Sequence, residues 1–423
     1  MRDGLLKRFE ALLCTGSPGL YRVVTFLAVQ RIYSLAELGR VASNMSIAQM
    51  AAFFTAIGWA TLILVRVPGA VHERAARDAF YPLAAMALAT TIAVTVGTLA
   101  LALSGVVDVD GVGFLSLLWG WSAYQVARHY FVAQRRYRTA VVFDLLLIAS
   151  SMLLLGLCRQ RGLSPSCALA AALGLCAAGL FVTVGLPSRG AWPRTFDVKG
   201  LQFGLTNFLS GGMALVIVPA ATLMCGASFA GMVSLLASVT AAGMLLPRAI
   251  SLAQLPELAR RRAAALPFDT TLRDMRRSIG WSNGMVLAVN AVLVVGMVLW
   301  HAEAGDDRSM AIVAGMLLAL LCAVGMMGMV GSSVMMAFEK GADTARINMT
   351  TTAAFAVLGG SCIGIGGQPG FVLILLAAIL VTAVRNRLVR NRAADLCVQF
   401  DATGERARAK DLSVLQREPE APR

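Results

Sequence analysis

Tyr21-Arg-Val-Val-Thr-Phe-Leu-Ala-Val-Gln-Arg-Ile32, a short break at Tyr33–Glu37, and an apolar run from Val41 to Val65 closed by Arg66 decide the fold of this chain. Two hydrophobic helices follow one another, and the first carries charges that lipid-facing helices exclude. A charged side chain at membrane depth is costly, so it faces a protein interior or a wet cavity, or reaches back to the interface. Arg22 and Arg31 are nine positions apart. At 100° per residue that is about 180° around a straight helix, so the two point to opposite faces. Arg31 is the better cavity candidate on this reading, because Arg22 has the shorter escape to the near interface.

The whole chain is built in the same way. Of 423 residues 58% are hydrophobic and 14% charged, with a mean hydropathy of +0.72. That composition belongs to a polytopic membrane protein. Apolar runs long enough to span lie near 18–32, 41–65, 80–105, 112–133, 139–158, 166–186, 201–225, 228–249, 278–300, 309–337, 347–366 and 369–385. The net charge of +14 does not point to nucleic acid, because the basic residues sit in short loops between these runs. Counting from an N-terminus on the cytoplasmic side, the inner loops hold 19 Lys and Arg and the outer loops 4. This asymmetry orients both termini to the cytoplasm of a bacterial inner membrane. The outer loop around Glu303, Asp306 and Asp307 is acidic. The inner loop at 255–277 is basic, and its expected place is a helix on the membrane surface.

An internal repeat appears at an offset of 192 positions. Ala36-Glu-Leu-Gly39-Arg-Val41 aligns with Ser228-Phe-Ala-Gly231-Met-Val233, and each opens a second helix after a first apolar one. The chain then divides into a cytoplasmic N-terminal segment at 1–17, a first six-helix bundle at 18–186 and a linker at 187–200 holding Pro187, Gly190 and Pro193. A second six-helix bundle at 201–386 and a cytoplasmic, partly disordered tail at 387–423 complete it. Paired repeats are the plan of secondary transporters, with the site at the repeat interface.

Enzymatic chemistry finds no support. There is no P-loop and no His-Glu-x-x-His, and the three histidines are scattered, so neither a metal nor a cofactor is expected. The polar residues inside apolar runs carry the information instead. Arg66, Arg128 and Arg248 stand at the inner ends of their helices, where anchoring of topology competes with substrate binding. Asp144 lies within Val-Val-Phe-Asp-Leu-Leu-Leu-Ile, where a carboxylate pairs with an arginine of another helix or carries a coupling ion, and pairing is preferred. Asn207 begins the second repeat.

The stretches Leu35-Ala-Glu-Leu-Gly39, Ser46-Ile-Ala-Gln-Met50 with Gly58 and Arg66, Ala133-Gln-Arg-Arg-Tyr137, Leu246-Pro-Arg248 and Leu255-Pro-Glu-Leu-Ala-Arg260 stand in that order along the twelve spans. In this the chain resembles the multidrug/oligosaccharidyl-lipid/polysaccharide exporter superfamily, and most of all its polysaccharide-biosynthesis branch, the Wzx-type flippases. The resemblance implies an all-α protein of two six-helix bundles around a central cavity, moving by alternating access. It implies a lipid-linked oligosaccharide as substrate, a polyprenyl-pyrophosphate glycan, with membrane lipids and polysaccharide polymerase components as partners. Arginine binds phosphate oxygens bidentately and keeps its charge, which suits Arg22, Arg31, Arg66, Arg128 and Arg248 to that ligand. Two other functions fit the sequence. One is a cation-coupled multidrug exporter, which needs cavity carboxylates and has only Asp144. The other is a non-transporting scaffold of a glycan-export complex.

Overall fold

A computed structural model describes residues 2–70, 72–104, 111–187, 196–244, 247–248, 250–251, 254, 257–258, 261–262, 266–300, 308–338 and 340–415. Among them every regular element is helical. The first bundle holds α1 (Arg2–Ile32), α2 (Leu35–Ala52), α3 (Gly58–Arg66), α4 (Glu73–Leu103), α5 (Gly111–Ala133), α6 (Tyr137–Gln160) and α7 (Pro165–Val184). A π-helical turn at Phe53–Ile57 joins α2 to α3, so the pair forms one span. The second bundle holds α8 (Lys199–Cys225), α9 (Ala227–Gly243), α10 (Asp269–Trp300), α11 (Arg308–Met327), α12 (Met329–Ala337), α13 (Gly341–Ile363) and α14 (Gly367–Leu415). Gly328 breaks the α11–α12 span. Twelve helical rods in two sets of six result, the all-α polytopic architecture expected from the sequence.

Local chemistry sets several boundaries. Ser34 caps α2 by accepting the Glu37 amide at 3.2 Å, and Ser164 caps α7 by accepting the Cys167 amide, with Pro165 in the first turn. Among the described residues seven rods are long and apolar enough to cross a membrane by composition alone, and an eighth is α8 once its bend is allowed. The rods that miss this standard include α5, which buries Tyr124, Gln125 and Arg128 among its neighbours. A rod enclosed by protein does not need the uniform apolarity that lipid contact demands.

Three boundaries differ from the sequence reading. The first helix begins at Arg2, so residues placed in an N-terminal segment are its first turns. The second begins at Leu35, because Ser34 supplies a cap that periodicity does not reveal. The stretch after Arg385, expected as a partly disordered tail, is helical to Leu415. Val389, Ala393, Leu396 and Phe400 recur on one stripe and pack with Phe268, Met275 and Val334, so this extension has a core of its own. Phe268, Phe338 and Phe400 form a ring triangle with centroids 5.1–5.6 Å apart. Residues 188–195, with Arg189, Gly190, Pro193 and Arg194, lie outside the described residues. So do Leu246, Leu255, Arg260, the acidic loop Glu303–Asp307, and Pro419 and Pro422.

The two bundles are joined unevenly. Call the membrane side with the basic loops the basic face. One apolar core runs without a break from the first bundle into the second, but only through residues near the opposite face: Ile217, Leu236, Val294, Leu318 and Leu375 among them. At the basic face the second bundle has a separate core, built around Phe268 and Val334. The bundles therefore share one core at one end and keep separate cores at the other, where the first part of α8 still packs on α3.

Candidate functional site

The deepest polar cluster lies in the first bundle. Asp144 on α6 is 2% exposed and Arg128 on α5 is 5% exposed. The Arg128 Nε donates to Oδ1 and Oδ2 of Asp144 at 2.9 and 3.2 Å, and Nη2 donates to Oδ2 at 2.9 Å. The hydroxyls of Tyr124 and Ser17 donate to the same carboxylate. Arg128 Nη2 also reaches the Cys14 carbonyl. Three helices, α1, α5 and α6, are thus bound by one charge pair whose carboxylate accepts from Arg128, Tyr124 and Ser17. That is the condition under which a buried ion pair is tolerated. Arg128 and Asp144 are engaged with one another here. Cys14 and Ser17 were not visible as partners in the sequence, because α1 was taken to start after them.

Arg22 is placed otherwise. With α1 ending at Ile32, it lies ten residues from that end, about 15 Å at 1.5 Å per residue. A hydrocarbon layer roughly 30 Å thick that began at Ile32 would have its middle there. On the basic side α1 extends twenty residues beyond Arg22. Its Nε is buried with no hydrogen-bond partner, and its guanidinium carbon lies 5.3 Å from the Phe26 ring centroid. Arg31 is exposed in the last turn of α1. Of the two, Arg22 is the part-buried one, and its Nε lies away from water with no hydrogen-bond partner among the described residues.

The other sequence candidates lie apart from it. Arg66 pairs with Asp197 just before α8, and Arg66 together with the Lys199 amide holds that carboxyl below the usual carboxylate range. Arg248 is exposed at the basic end beyond α9. Asn207 Nδ2 lies 3.4 Å from the Thr61 hydroxyl, tying α8 to α3. Arg22 and Arg31 thus stand on α1, Arg66 on α3, Arg128 on α5 and Arg248 beyond α9. Among the described residues no group of three His, Cys, Asp or Glu could hold a metal ion.

The seam between bundles is built from close backbone approaches. A Cβ on Gly39 would strike the Ala227 carbonyl and come within 2.9 Å of the Gly231 amide nitrogen. A Cβ on Gly231 would strike the Leu35 carbonyl and lie 3.2 Å from the Gly39 nitrogen. Leu35 and Ala227, like Gly39 and Gly231, are 192 positions apart. The repeat therefore meets itself across a local pseudo-two-fold axis near the opposite face. Toward the basic face a further approach follows. There Gly58 of α3 meets Gly200 and Gly204 of α8, and Phe53 and Phe54 pack on Phe208 at 6.1 and 5.6 Å. The rod α8 bends by 62° between Lys199–Leu209 and Gly211–Cys225. Its first part stays with the first bundle, and its second part joins the core near the opposite face.

Solved structures share this arrangement. The chain superposes with a TM-score of 0.67 on the inward-facing conformation of a multidrug resistance MATE family transporter of the MOP superfamily, at 14% identity, covering 89% of this chain and 94% of that one. A eukaryotic MATE transporter gives 0.60 at 15% identity, over 95% and 99% of the two chains. The outward-facing conformation of a multidrug resistance MATE family transporter gives 0.55 at 14% identity, over 92% and 94%. No protein-family model matches the chain, and no curated protein matches it in sequence. The fold is that of the MATE transporters, multi-pass membrane proteins of two six-helix bundles.

Proposed function

We propose that this chain is a secondary membrane transporter that exports an amphiphilic molecule by alternating access of its two bundles. The observation that carries this reading is the uneven joint between bundles, which share one apolar core near the opposite face and have separate cores at the basic face. Its fit to the inward-facing transporter over the outward-facing one, 0.67 against 0.55, supports the same view. Positive-inside topology then makes the basic face cytoplasmic, which is where an inward-facing cleft opens.

The fold neighbours are multidrug transporters, and that favours export of small amphiphiles as the first substrate class. The residue chemistry limits which amphiphiles. A cationic cargo or a coupling cation calls for an available carboxylate at depth, and Asp144 is already paired by Arg128. Arg22, whose buried Nε has no hydrogen-bond partner among the described residues, favours a cargo that brings an anionic group. A lipid-linked oligosaccharide for surface polysaccharide biosynthesis is the second reading, and Arg22 is the observation in its favour.

Reconstitution separates the two. Proteoliposomes carrying the chain are expected to move a fluorescent anionic amphiphile across the bilayer, and Arg22→Gln to slow this at least about tenfold. Movement of a polyprenyl-pyrophosphate sugar but of no small amphiphile establishes the second reading. Movement of neither, under any ion gradient, refutes transport and leaves the scaffold.

A further inference from the structure

The basic end of α10 carries a feature that transport does not use. An open groove of about 510 Å³ is lined by Arg276, Arg277, Gly280, Trp281, Gly284 and Met285. Its floor is backbone: a Cβ on Gly280 or Gly284 would meet nothing within 4 Å. Its walls are apolar side chains turned outward, Trp281 at 75% exposure and Met285 at 56%. Both arginines at its rim are exposed, and among the described residues neither makes an ion pair. The segment Arg273–Arg277 holds three arginines against one acid, Asp274.

Depth follows from the helix itself. Trp281 and Trp300, both turned outward, bracket an apolar run of nineteen steps, about 29 Å along the axis. That matches the hydrocarbon thickness, with an indole at each interface. Arg276 and Arg277 then stand about one turn outside the hydrocarbon, at the level of headgroup phosphates. The glycine floor leads from that level down into the hydrocarbon.

We infer that this groove binds one anionic phospholipid of the basic-side leaflet, its phosphate on Arg276 and Arg277 and an acyl chain along Gly280 and Gly284 between Trp281 and Met285. Guanidinium pairs engage phosphate oxygens bidentately, and an anionic headgroup adds the charge they lack. A second copy of the chain is a poorer occupant. A parallel two-fold contact through Gly280 and Gly284 would set two arginine pairs against each other at one depth, where like charges repel. The lipid lies on the outer surface of the second bundle, away from the seam with the first.

Native mass spectrometry of the full chain tests this, with phosphatidylglycerol and phosphatidylcholine of identical acyl chains as probes. The parent is expected to retain phosphatidylglycerol over phosphatidylcholine by roughly thirtyfold, two interfacial arginines each contributing about fivefold. Arg276→Gln with Arg277→Gln is expected to abolish the preference. Gly280→Leu with Gly284→Leu, which fills the groove and keeps the charges, is expected to lose bound lipid of both kinds. These positions are exposed, and an unchanged elution profile verifies folding. Equal retention of both lipids by the parent overturns the inference. So does an undiminished preference in the groove-filled variant, which would mean diffuse surface charge, and so does a dimer that the leucines dissolve.

Discussion

Removing one partner of the Arg128–Asp144 pair is expected to cost far more than removing both. The carboxylate accepts three guanidinium contacts at 2.9–3.2 Å, and both side chains are almost fully buried. Asp144→Asn leaves the Arg128 charge in the bundle with only neutral acceptors, the Cys14 carbonyl and sulfur and the Ser17 hydroxyl. An uncompensated buried charge of this kind costs about 3–5 kcal/mol. For a bundle of this size that corresponds to a fall of about 10 °C or more in the temperature of half-loss. Arg128→Met combined with Asp144→Leu removes both charges and keeps the volume, and such replacements range from neutral to stabilising by about 1–4 kcal/mol. The assay is thermal challenge in detergent followed by size-exclusion chromatography. The reasoning is refuted if Asp144→Asn is as stable as the parent, or if the double variant falls as far as the single. The double variant also separates roles. If the pair only fastens α1 to α5 and α6, transport survives its replacement by apolar residues. If Asp144 carries a coupling ion, transport is lost while the protein stays folded.

Three further outcomes are expected. Gly39→Leu forces the fused end apart, since even a Cβ collides with Ala227; spin labels near the opposite face should report longer distances than in the parent, and unchanged distances would count against the seam. Truncation after Asn386 removes Val389, Ala393, Leu396 and Phe400 from the basic-side core and should lower thermal stability, whereas truncation after Asp401 should not. The Arg66–Asp197 contact should be acid-sensitive: with the Asp197 carboxyl held below its unfolded value, its stabilisation is present at neutral pH and lost as pH falls through the folded value. A variant keeping only Trp59, which lies 5.4 Å from the Phe196 ring, should report this loss by fluorescence, and Asp197→Asn should flatten it.

The sequence carried the architecture well and the site poorly, for physical reasons. Lipid contact imposes apolar runs of fixed length, so the number of rods could be read off directly. The offset of 192 positions was short as a pattern, yet it marked Gly39 and Gly231, which touch in the folded chain. What periodicity could not supply was the start of α1, because Cys14 and Ser17 look like any weakly polar segment until Arg128 and Asp144 are beside them. That single boundary places Arg22 twenty residues inside α1 rather than near its start. The basic-side extension of α14 was hidden by its charged residues, since its apolar stripe is only one residue wide per turn. Partners across bundles, such as Asp197 for Arg66 and Thr61 for Asn207, depend on tertiary approach, which no local pattern encodes.

Alternating access of the two bundles is the central claim, and paired spin labels measure it most directly. One pair, at Leu163 and Ile365, spans the opposite face, and another, at Arg138 and Lys340, spans the basic face; all four positions are exposed. In membrane nanodiscs the account predicts reciprocal shifts on adding a transported amphiphile, with the first distance lengthening while the second shortens. Distances at both faces that stay fixed, or that change in the same direction, contradict it.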